Sequence, residues 1–509
     1  MSGAMREADG AASQVSDSGR AVATVIGRSF SFRLGAQVVS AFINVAGMVV
    51  LGNTLAAEGY GEYAFYYALV PLIASLSDLG IGAIVTRQVA RDRSSGARTL
   101  GDALLIKGVV SAAFLLGVSA TAVLFLDPPH ALLLILVTAT ALIDFSQDVG
   151  VWIFRGNDRQ DLESLLLIVS QGVWLAGICV CALLKAPLSA FLAAATLAFL
   201  LRAGVAAWIL IRRFHAPLFH FDRARILKLI SEGLPFGLAM FTVVLYGRAG
   251  VLLLKGMATT SDVAFFNVAY MLSQPLGFLS SAFNVSAFPS FSRTVAGGTA
   301  AARPLLQRAV KFQFLAALPL SVGLLVLAPR IVPLLLKGED FRTAGLALQV
   351  MSAGLALIFL NLMSRYVLTA LEAQRAYFQA IVAGLAVNLA VSAALIGSFG
   401  AVGACAGLLA GELTVLILCQ RALSRWLPAG DLLRELARPL AAALVMGAAI
   451  YPLREAPLWV VPAVGAIVYA LALLALRALS SDELNVLRGV YVSFKLPGSS
   501  FLMRSANRS

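Results

Sequence analysis

Nine charged residues lie inside otherwise apolar stretches of the sequence, where a charge must bind something or be paired. The basic ones are Arg33, Lys107, Arg202, Arg248 and Arg365, and the acidic ones are Asp78, Asp144, Asp148 and Glu412. A charge in apolar surroundings costs several kcal/mol, so these side chains are expected to face an internal cavity or one another. A guanidinium group can hold phosphate oxygens through two parallel hydrogen bonds, so the arginines suit an anion.

The depth of each basic residue separates two interpretations. Arg202 and Arg248 are the deepest, and Arg202 lies nine residues from the end of its apolar stretch, or about 14 Å along a helix. Arg33, Lys107 and Arg365 lie nearer to an end, where long side chains reach the lipid headgroups. For the two deep arginines the alternatives are an anion-binding cavity and a buried ion pair with a neighbouring carboxylate.

The acidic residues are the candidates for coupling to H⁺ or Na⁺. Asp144 and Asp148 are four residues apart, so they share one helix face, and Ser146 and Gln147 extend the polar stripe. This stripe would bind a cation or a proton, or pair with the arginines. Glu412 lies in the small-residue run GACAGLLAGELT, which suits either a helix contact or a coupling site.

Enzymatic and metal sites are weakly supported. The three histidines lie in loops without zinc spacing, and the four cysteines lie in apolar runs as small packing residues. No Gly-rich phosphate loop is present, and no inserted soluble domain is expected. The sequence therefore predicts no cofactor and no catalytic residues, and any transport would be passive or driven by an ion gradient or the membrane potential.

The composition defines the class of protein. The 509 residues are 60% hydrophobic and 13% charged, and the mean hydropathy is +0.88. A soluble domain carries about a quarter charged residues and cannot bury this much apolar side chain. The net charge of +13 is spread over short loops, which is typical of membrane proteins rather than of nucleic-acid-binding proteins. The chain is predicted to be an all-α polytopic membrane protein.

Fourteen stretches have the length and apolar character of a membrane-spanning helix. Their approximate bounds are 30–51, 63–86, 103–126, 131–154, 162–184, 187–211, 231–254, 263–288, 312–329, 345–370, 376–397, 400–420, 437–452 and 457–477. The thirteenth is short, so twelve or thirteen crossings are the alternatives. The segment 331–336 is too short to span and is interpreted as interfacial.

The distribution of basic residues predicts the orientation. With the N-terminus in the cytoplasm, 28 Lys and Arg residues lie in cytoplasmic segments and 6 in outside loops, which agrees with the positive-inside rule. Both termini are therefore predicted to be cytoplasmic. Residues 1–28 are polar and do not resemble a signal peptide, so a disordered tail is expected there.

An internal repeat divides the chain. The segments LGNTLAAEGYGEYAFYYA (51–68) and LKGMATTSDVAFFNVAY (254–270) align with an offset of 203 residues, which places Tyr63 against Phe266 and Tyr67 against Tyr270. The predicted units are a tail 1–28, an N-terminal lobe 29–228 of helices 1–6, a C-terminal lobe 229–425 of helices 7–12, accessory helices 13–14 over 426–480, and a cytoplasmic tail 481–509. Parallel six-helix halves would enclose a central cavity.

Three stretches carry a family resemblance. They are Asn361–Gly403, with an EAQRA turn and a following LIGSFGAVG; Tyr246–Arg293, with DVAFFNVAY and a final AFPSFSR; and Leu51–Arg91. Together they resemble the polysaccharide-unit (Wzx-type) flippases of the MOP (MATE-like) exporter superfamily. Ala249 and Gly250 follow Arg248 where family members often carry an acid, so a coupling role passes to the fourth helix or Glu412.

The resemblance implies a V-shaped bundle of two lobes in a bacterial inner membrane. It implies a flippase that moves an undecaprenyl-pyrophosphate-linked oligosaccharide from the inner to the outer leaflet by alternating access, for O-antigen, capsule or exopolysaccharide synthesis. A polysaccharide polymerase and glycosyltransferases would be its partners, with no nucleic acid. The alternatives are a cation-coupled multidrug exporter, which would want an acidic cavity for cationic drugs, and a non-transporting membrane protein.

Overall fold

The computed structural model describes residues 35–92, 97–157, 159–214, 218, 222–338, 341–457 and 459–479, without the side chains of 145–147 and 149. The helices are α1 (Gly35–Asp78), α2 (Ile81–Arg91), α3 (Ala97–Phe125), α4 (Pro128–Gly156), α5 (Gln160–Leu183), α6 (Leu188–Arg213), α7 (Arg223–Met257), α8 (Thr260–Ser273), α9 (Gly277–Ala296), α10 (Thr299–Leu335), α11 (Arg342–Ala353), α12 (Leu355–Ala370), α13 (Gln374–Leu423), α14 (Ala429–Ile450) and α15 (Val460–Ala475). The predicted tails, Arg33, and the Ser146 and Gln147 side chains lie outside the described residues.

The described helix α1 is a hairpin rather than one straight rod. Ala56 adopts a positive φ of 55° in the middle of it. A Cβ on Gly47 would run into the Trp174 ring, and the indole nitrogen of Trp174 donates a hydrogen bond to the Tyr63 hydroxyl at 3.1 Å. In a straight helix, residues 47 and 63 would be about 24 Å apart. Two segments that contact one indole must fold back on each other.

Helix α13 turns in the same way at Gly400, whose φ is 51°. The ideal Cβ of Gly411 would lie 2.8 Å from the carbonyl oxygen of Gly384, and that of Gly403 would lie 2.6 Å from the carbonyl of Leu395. The two residues of each pair lie on opposite sides of the turn, so the two segments of α13 run antiparallel. The Asp262 carboxylate accepts a hydrogen bond from the Ala401 amide at 3.0 Å, which satisfies a backbone donor that the turn leaves open.

The structure supports about fourteen membrane crossings. By length and hydropathy, eight described helices suffice, or nine if the pair α11 and α12, bent by 43°, is one span. The hairpins α1 and α13 each supply a second crossing, and α4, α14 and α15, which are not among the eight, would add three more. Within the described residues the chain is all-helical, as predicted. The segment 331–336 is not a separate interfacial element, because α10 continues to Leu335.

The charged loops gather at one face, which we call the basic end. It contains the connections after α1, α4, α6, α9, α12 and α13, and the opposite face, the turn end, carries Ala56 and Gly400. One buried apolar core lies toward the turn end and draws on both halves of the chain. A second core lies within the C-terminal half, and a third, toward the basic end, joins helices of the N-terminal half to the start of α7 through Leu229. The two halves are thus joined most extensively at the turn end.

The predicted repeat has a structural counterpart. Tyr63 and Tyr67 stack with ring centroids 5.6 Å apart, and their equivalents Phe266 and Tyr270 stack at 6.1 Å. Gly61 contacts the backbone of Ala264, which is its own equivalent at the offset of 203. A residue that touches its own repeat partner lies near an approximate two-fold axis, and this contact forms the junction of the halves.

The terminal pair α14 and α15 is fixed to α10 at both faces. At the basic end, Arg303 donates to Asp431 at 2.7 and 3.0 Å, and this hydrogen bond lowers the pKa of the Asp431 carboxyl. At the turn end, Arg330 donates to the Ala456 carbonyl at 2.7 Å. Between them, Tyr469 donates to the Leu315 carbonyl at 3.2 Å. The pair therefore moves with the C-terminal half.

The glycine contacts in α13 give a test of the hairpin. We expect Gly407→Val to lower the free energy of unfolding by about 1–3 kcal/mol, as overpacking does, because a Cβ there would clash with Ser392. Gly397→Val is the matched control, since its Cβ would meet nothing within 4 Å. Thermal unfolding of the purified variants measures both. Equal losses in the two variants would contradict the hairpin.

Candidate functional site

Arg248 lies half-buried in α7, at the level where the two halves meet. Its guanidinium carbon is 5.5 Å from the centroid of the Tyr270 ring in α8. A cation over an aromatic face is stabilised by the ring quadrupole, by about 0.5–2 kcal/mol depending on its hydration. The ring holds the guanidinium in place and leaves its five N–H donors available for an anion.

Arg202 lies in α6 beside a small cavity of about 80 Å³ in the N-terminal half. The cavity is also lined by Asn44, Tyr67, Gln171 and Trp174. Arg202 Nε and Gln171 Oε1 are buried without a hydrogen-bond partner among the described residues. Such unpaired polar atoms are costly, and a ligand that both donates and accepts hydrogen bonds would satisfy them.

The Tyr67 hydroxyl connects the two deep arginines. Arg202 from the N-terminal half and Arg248 from the C-terminal half both act electrostatically on this phenol, and so does Asp144. Arg202 Nη1 lies 3.9 Å from Asp144 Oδ1, at the outer limit of an ion pair. The structure therefore brings Arg202 and Arg248 to one region. It also places the Asp144 carboxylate beside Arg202, as the ion-pair interpretation requires.

Lys107 is buried among carboxylates rather than near the membrane surface. It is 2% exposed, and its ammonium lies 4.1 Å from the centroid of the Trp152 ring. Asp78 and Asp148 act on it electrostatically, and Asp144 does so more weakly. With Arg202, this group in α1, α3, α4 and α6 contains two cations and three carboxylates.

The fourth acidic candidate occupies the C-terminal half. Glu412 in α13 accepts a hydrogen bond from Asn361 Nδ2 in α12 at 2.6 Å, and the same amide nitrogen donates to the Glu412 carbonyl at 2.9 Å. The Tyr246 hydroxyl lies beside it, against Gly411. Asn388 Nδ2 reaches the Tyr246 carbonyl at 3.4 Å. These contacts tie three helices around one carboxylate.

The remaining basic candidates lie apart from this region. Arg365 is exposed, and its guanidinium carbon is 5.5 Å from the centroid of the adjacent Tyr366 ring. The Arg33 side chain lies outside the described residues. Of the five predicted basic residues, the structure thus brings Arg202 and Arg248 together and places Lys107 in the neighbouring cluster.

Sequence reasoning missed several polar residues that shape the region. Gln171 and Trp174 carry no charge, so nothing in the sequence set them apart from other residues of α5. Asp102 is 1% exposed and lies 2.7 Å from Arg225 Nε, one residue before the predicted span 103–126. The Tyr60 hydroxyl accepts a hydrogen bond from Asn267 at 2.6 Å. The aromatic repeat was the one signal that pointed to this junction.

About fourteen helices in two related halves, with buried charges near their junction, make up the fold that transporters of the MOP superfamily also have. The family model for "Polysaccharide biosynthesis protein" matches residues 26–295, and the model for "Lipid II flippase MurJ" matches residues 175–469. Each covers more than half of the chain. The chain belongs to the polysaccharide biosynthesis protein family, and the lipid II flippase model matches more than half of it as well.

Solved structures show the same fold at low sequence identity. Lipid II flippase MurJ in an inward closed conformation is 13% identical, with a TM-score of 0.74, 87% of this chain and 97% of that chain covered. An inward-facing MATE multidrug resistance transporter is 15% identical, with a TM-score of 0.62 and coverages of 80% and 98%. A MOP superfamily transporter from Pyrococcus furiosus is 17% identical, with a TM-score of 0.52 and coverages of 81% and 97%. No curated protein sequence matches the chain.

The contact between Asp144 and Arg202 gives the second test. Asp144→Asn should lower the free energy of unfolding by about 3 kcal/mol, because it leaves the buried guanidinium without its carboxylate. The double variant Asp144→Leu/Arg202→Leu should regain most of that loss. Asp127→Asn, which changes an exposed carboxylate in the connection before α4, is the control. If the Asp144→Asn protein unfolds at the wild-type temperature, the ion-pair interpretation is wrong, and Arg202 is then available to bind a ligand.

Proposed function

We propose that the protein moves a polyprenyl-pyrophosphate-linked oligosaccharide from the inner to the outer leaflet of a bacterial inner membrane, for O-antigen, capsule or exopolysaccharide synthesis. The observation that carries the proposal is that Arg202 and Tyr67 line one cavity, while Arg248 of the other half also acts electrostatically on the Tyr67 phenol. Two guanidinium groups can hold a diphosphate through charge-assisted hydrogen bonds. The family assignment to lipid-linked flippases supports a substrate of this chemistry.

The glycan would extend from the diphosphate into the polar cavity of the N-terminal half. Asn44 and Gln171 supply amide groups there, and Tyr67 and Trp174 supply aromatic faces. Amides and aromatic rings together suit the hydroxyl groups and apolar faces of sugars. The lipid tail would remain in the bilayer, since many large apolar side chains of the outer helix faces are exposed.

The basic end is the proposed cytoplasmic face, because positively charged loops are retained there. Both termini would then be cytoplasmic. Since the shared apolar core lies at the turn end, the halves would separate first at the cytoplasmic face and admit the headgroup from the inner leaflet. Rocking about the junction of Gly61 and Ala264 would then expose it outside.

The energy source would be an ion gradient acting on the buried carboxylates. Asp78, Asp144 and Asp148 in the N-terminal half and Glu412 in the C-terminal half are candidates for H⁺ or Na⁺ coupling. A cation taken up by these groups would change the charge balance around Lys107 and Arg202, and hence their attraction for the substrate. Glycosyltransferases and a polymerase would supply and consume the lipid-linked glycan.

Arg248 carries the third test. Arg248→Ala should lower surface polysaccharide at least roughly tenfold, because it removes a charge-assisted contact to the diphosphate, while Arg248→Lys should retain part of the activity as a point charge. Arg421→Ala, which removes an exposed cation at the end of α13, is the control. Polymer levels and the amount of protein in the membrane are measured together. Wild-type polymer in the Arg248→Ala strain would contradict the proposal.

A further inference from the structure

A second cavity lies at the basic end, on the seam between the two halves. It has a volume of about 390 Å³, and α2 faces α7 across it. Its polar walls are Gln88, Arg91 and Asp92 on one side and Arg225, Lys228 and Glu232 on the other. Positions 225, 228 and 232 fall on one face of α7. None of these residues belongs to the site around Arg248.

The backbone brings the two walls of the cavity together. Leu79 and Gly80 both adopt positive φ, 50° and 70°, and this break ends α1 and redirects the chain into α2. Gly80 lies directly on the backbone of Gly233 and Gly237 in α7, where an added Cβ would clash. A Cβ on Gly233 would likewise lie 2.6 Å from the Leu79 carbonyl oxygen. The cavity therefore lies between two segments whose backbones are in close contact.

Two ion pairs connect the two halves beside this cavity. Two further cations that line the cavity form no ion pair with the described residues. Arg87 Nη2 lies 3.6 Å from Glu232 Oε2, and Arg225 Nε lies 2.7 Å from Asp102 Oδ2. Arg91 and Lys228 form no ion pair with any residue that the structure describes. An anion in the cavity would meet these two cations directly and would compete with Glu232 and Asp102 for the two arginines.

The surroundings favour an anion that carries an apolar tail. The cavity lies at the end of α2, at the basic end of the molecule. On the side of α7 that lines the cavity, Phe236 lies one turn beyond Glu232 and is 51% exposed. A phosphate seated between α2 and α7 can keep its lipid chain against this exposed ring.

We propose that the cavity between α2 and α7 is a docking site for the phosphate groups of the lipid-linked substrate before it reaches Arg248. This inference rests on the proposed function and adds an earlier binding step to it. Docking draws Arg87 and Arg225 away from their carboxylates and so loosens the seam. The site thereby links the arrival of substrate to separation of the halves at the basic end.

Binding by the purified full-length protein in phosphatidylcholine nanodiscs tests the site, with farnesyl diphosphate as the probe. Arg91→Gln/Lys228→Gln should weaken binding roughly tenfold, as the loss of charge-assisted hydrogen bonds does. Glu232→Gln should tighten it, because a competing carboxylate is removed. Arg212→Gln, which removes an exposed cation over Trp208 in α6, should bind as the wild type does.

Three outcomes overturn the proposal. The first is wild-type affinity in the double variant, or weaker binding in Glu232→Gln. The second is inorganic diphosphate that binds as tightly as farnesyl diphosphate, because the apolar tail would then contribute nothing. The third is phosphatidylglycerol in the nanodisc that displaces the probe at equal concentration, which would make the cavity a general contact for anionic phospholipid.

The test of the docking site can be distinguished from the test of Arg248. In an Arg248→Ala background, Arg91→Gln/Lys228→Gln should still weaken the binding of farnesyl diphosphate, because Arg248 does not line this cavity. Normal export by Arg248→Ala together with weakened probe binding in Arg91→Gln/Lys228→Gln would refute the central site and keep the docking site. The converse pattern would refute the docking site alone.

Discussion

The close contact between the first and second repeats at the turn end is the constraint on which the rest of the structure depends. Lipid offers no hydrophobic drive for helices to associate, so they rely on small residues, close contact and hydrogen bonds. Gly61 lets the backbone of α1 reach Thr260 and Ala264, and Tyr60 joins Asn267 across the same junction. Because this contact is extensive and glycine-based, the proposed motion between the halves would open the opposite face, where the start of α7 packs against the N-terminal half.

The buried charges follow from that arrangement. Each half holds an electrostatic group of its own: Lys107, Arg202 and three aspartates in one, Glu412 with Asn361 in the other. Arg248 lies between them, placed by Tyr270 of the second repeat. A buried charge that is partly compensated can change partners at modest cost, whereas an isolated one cannot. The proposed transport and the proposed docking site both depend on arginines that exchange a carboxylate for a phosphate.

The sequence predicts the number and nature of the helices because apolar length and basic loops are local signals. It also predicts the repeat, because Tyr63 and Tyr67 recur as Phe266 and Tyr270. It predicts a break between the spans 30–51 and 63–86, but not that Ala56, a residue with no special backbone freedom, adopts the positive φ there. Nor does it predict the continuation of α10 through Pro329 and Pro333. Contacts such as Arg202 with Asp144 or Arg225 with Asp102 depend on helix rotation and pairing, which no single segment encodes.

Transfer between leaflets is the most direct measure of the central claim. Purified protein in proteoliposomes would be given a fluorescent polyprenyl-diphosphate-linked sugar in the leaflet that faces the basic end, and its appearance in the opposite leaflet would be followed by quenching. The account predicts protein-dependent transfer of this lipid and none of a matched lipid that lacks the diphosphate. Transfer at the protein-free rate, or equal transfer of both lipids, would contradict it.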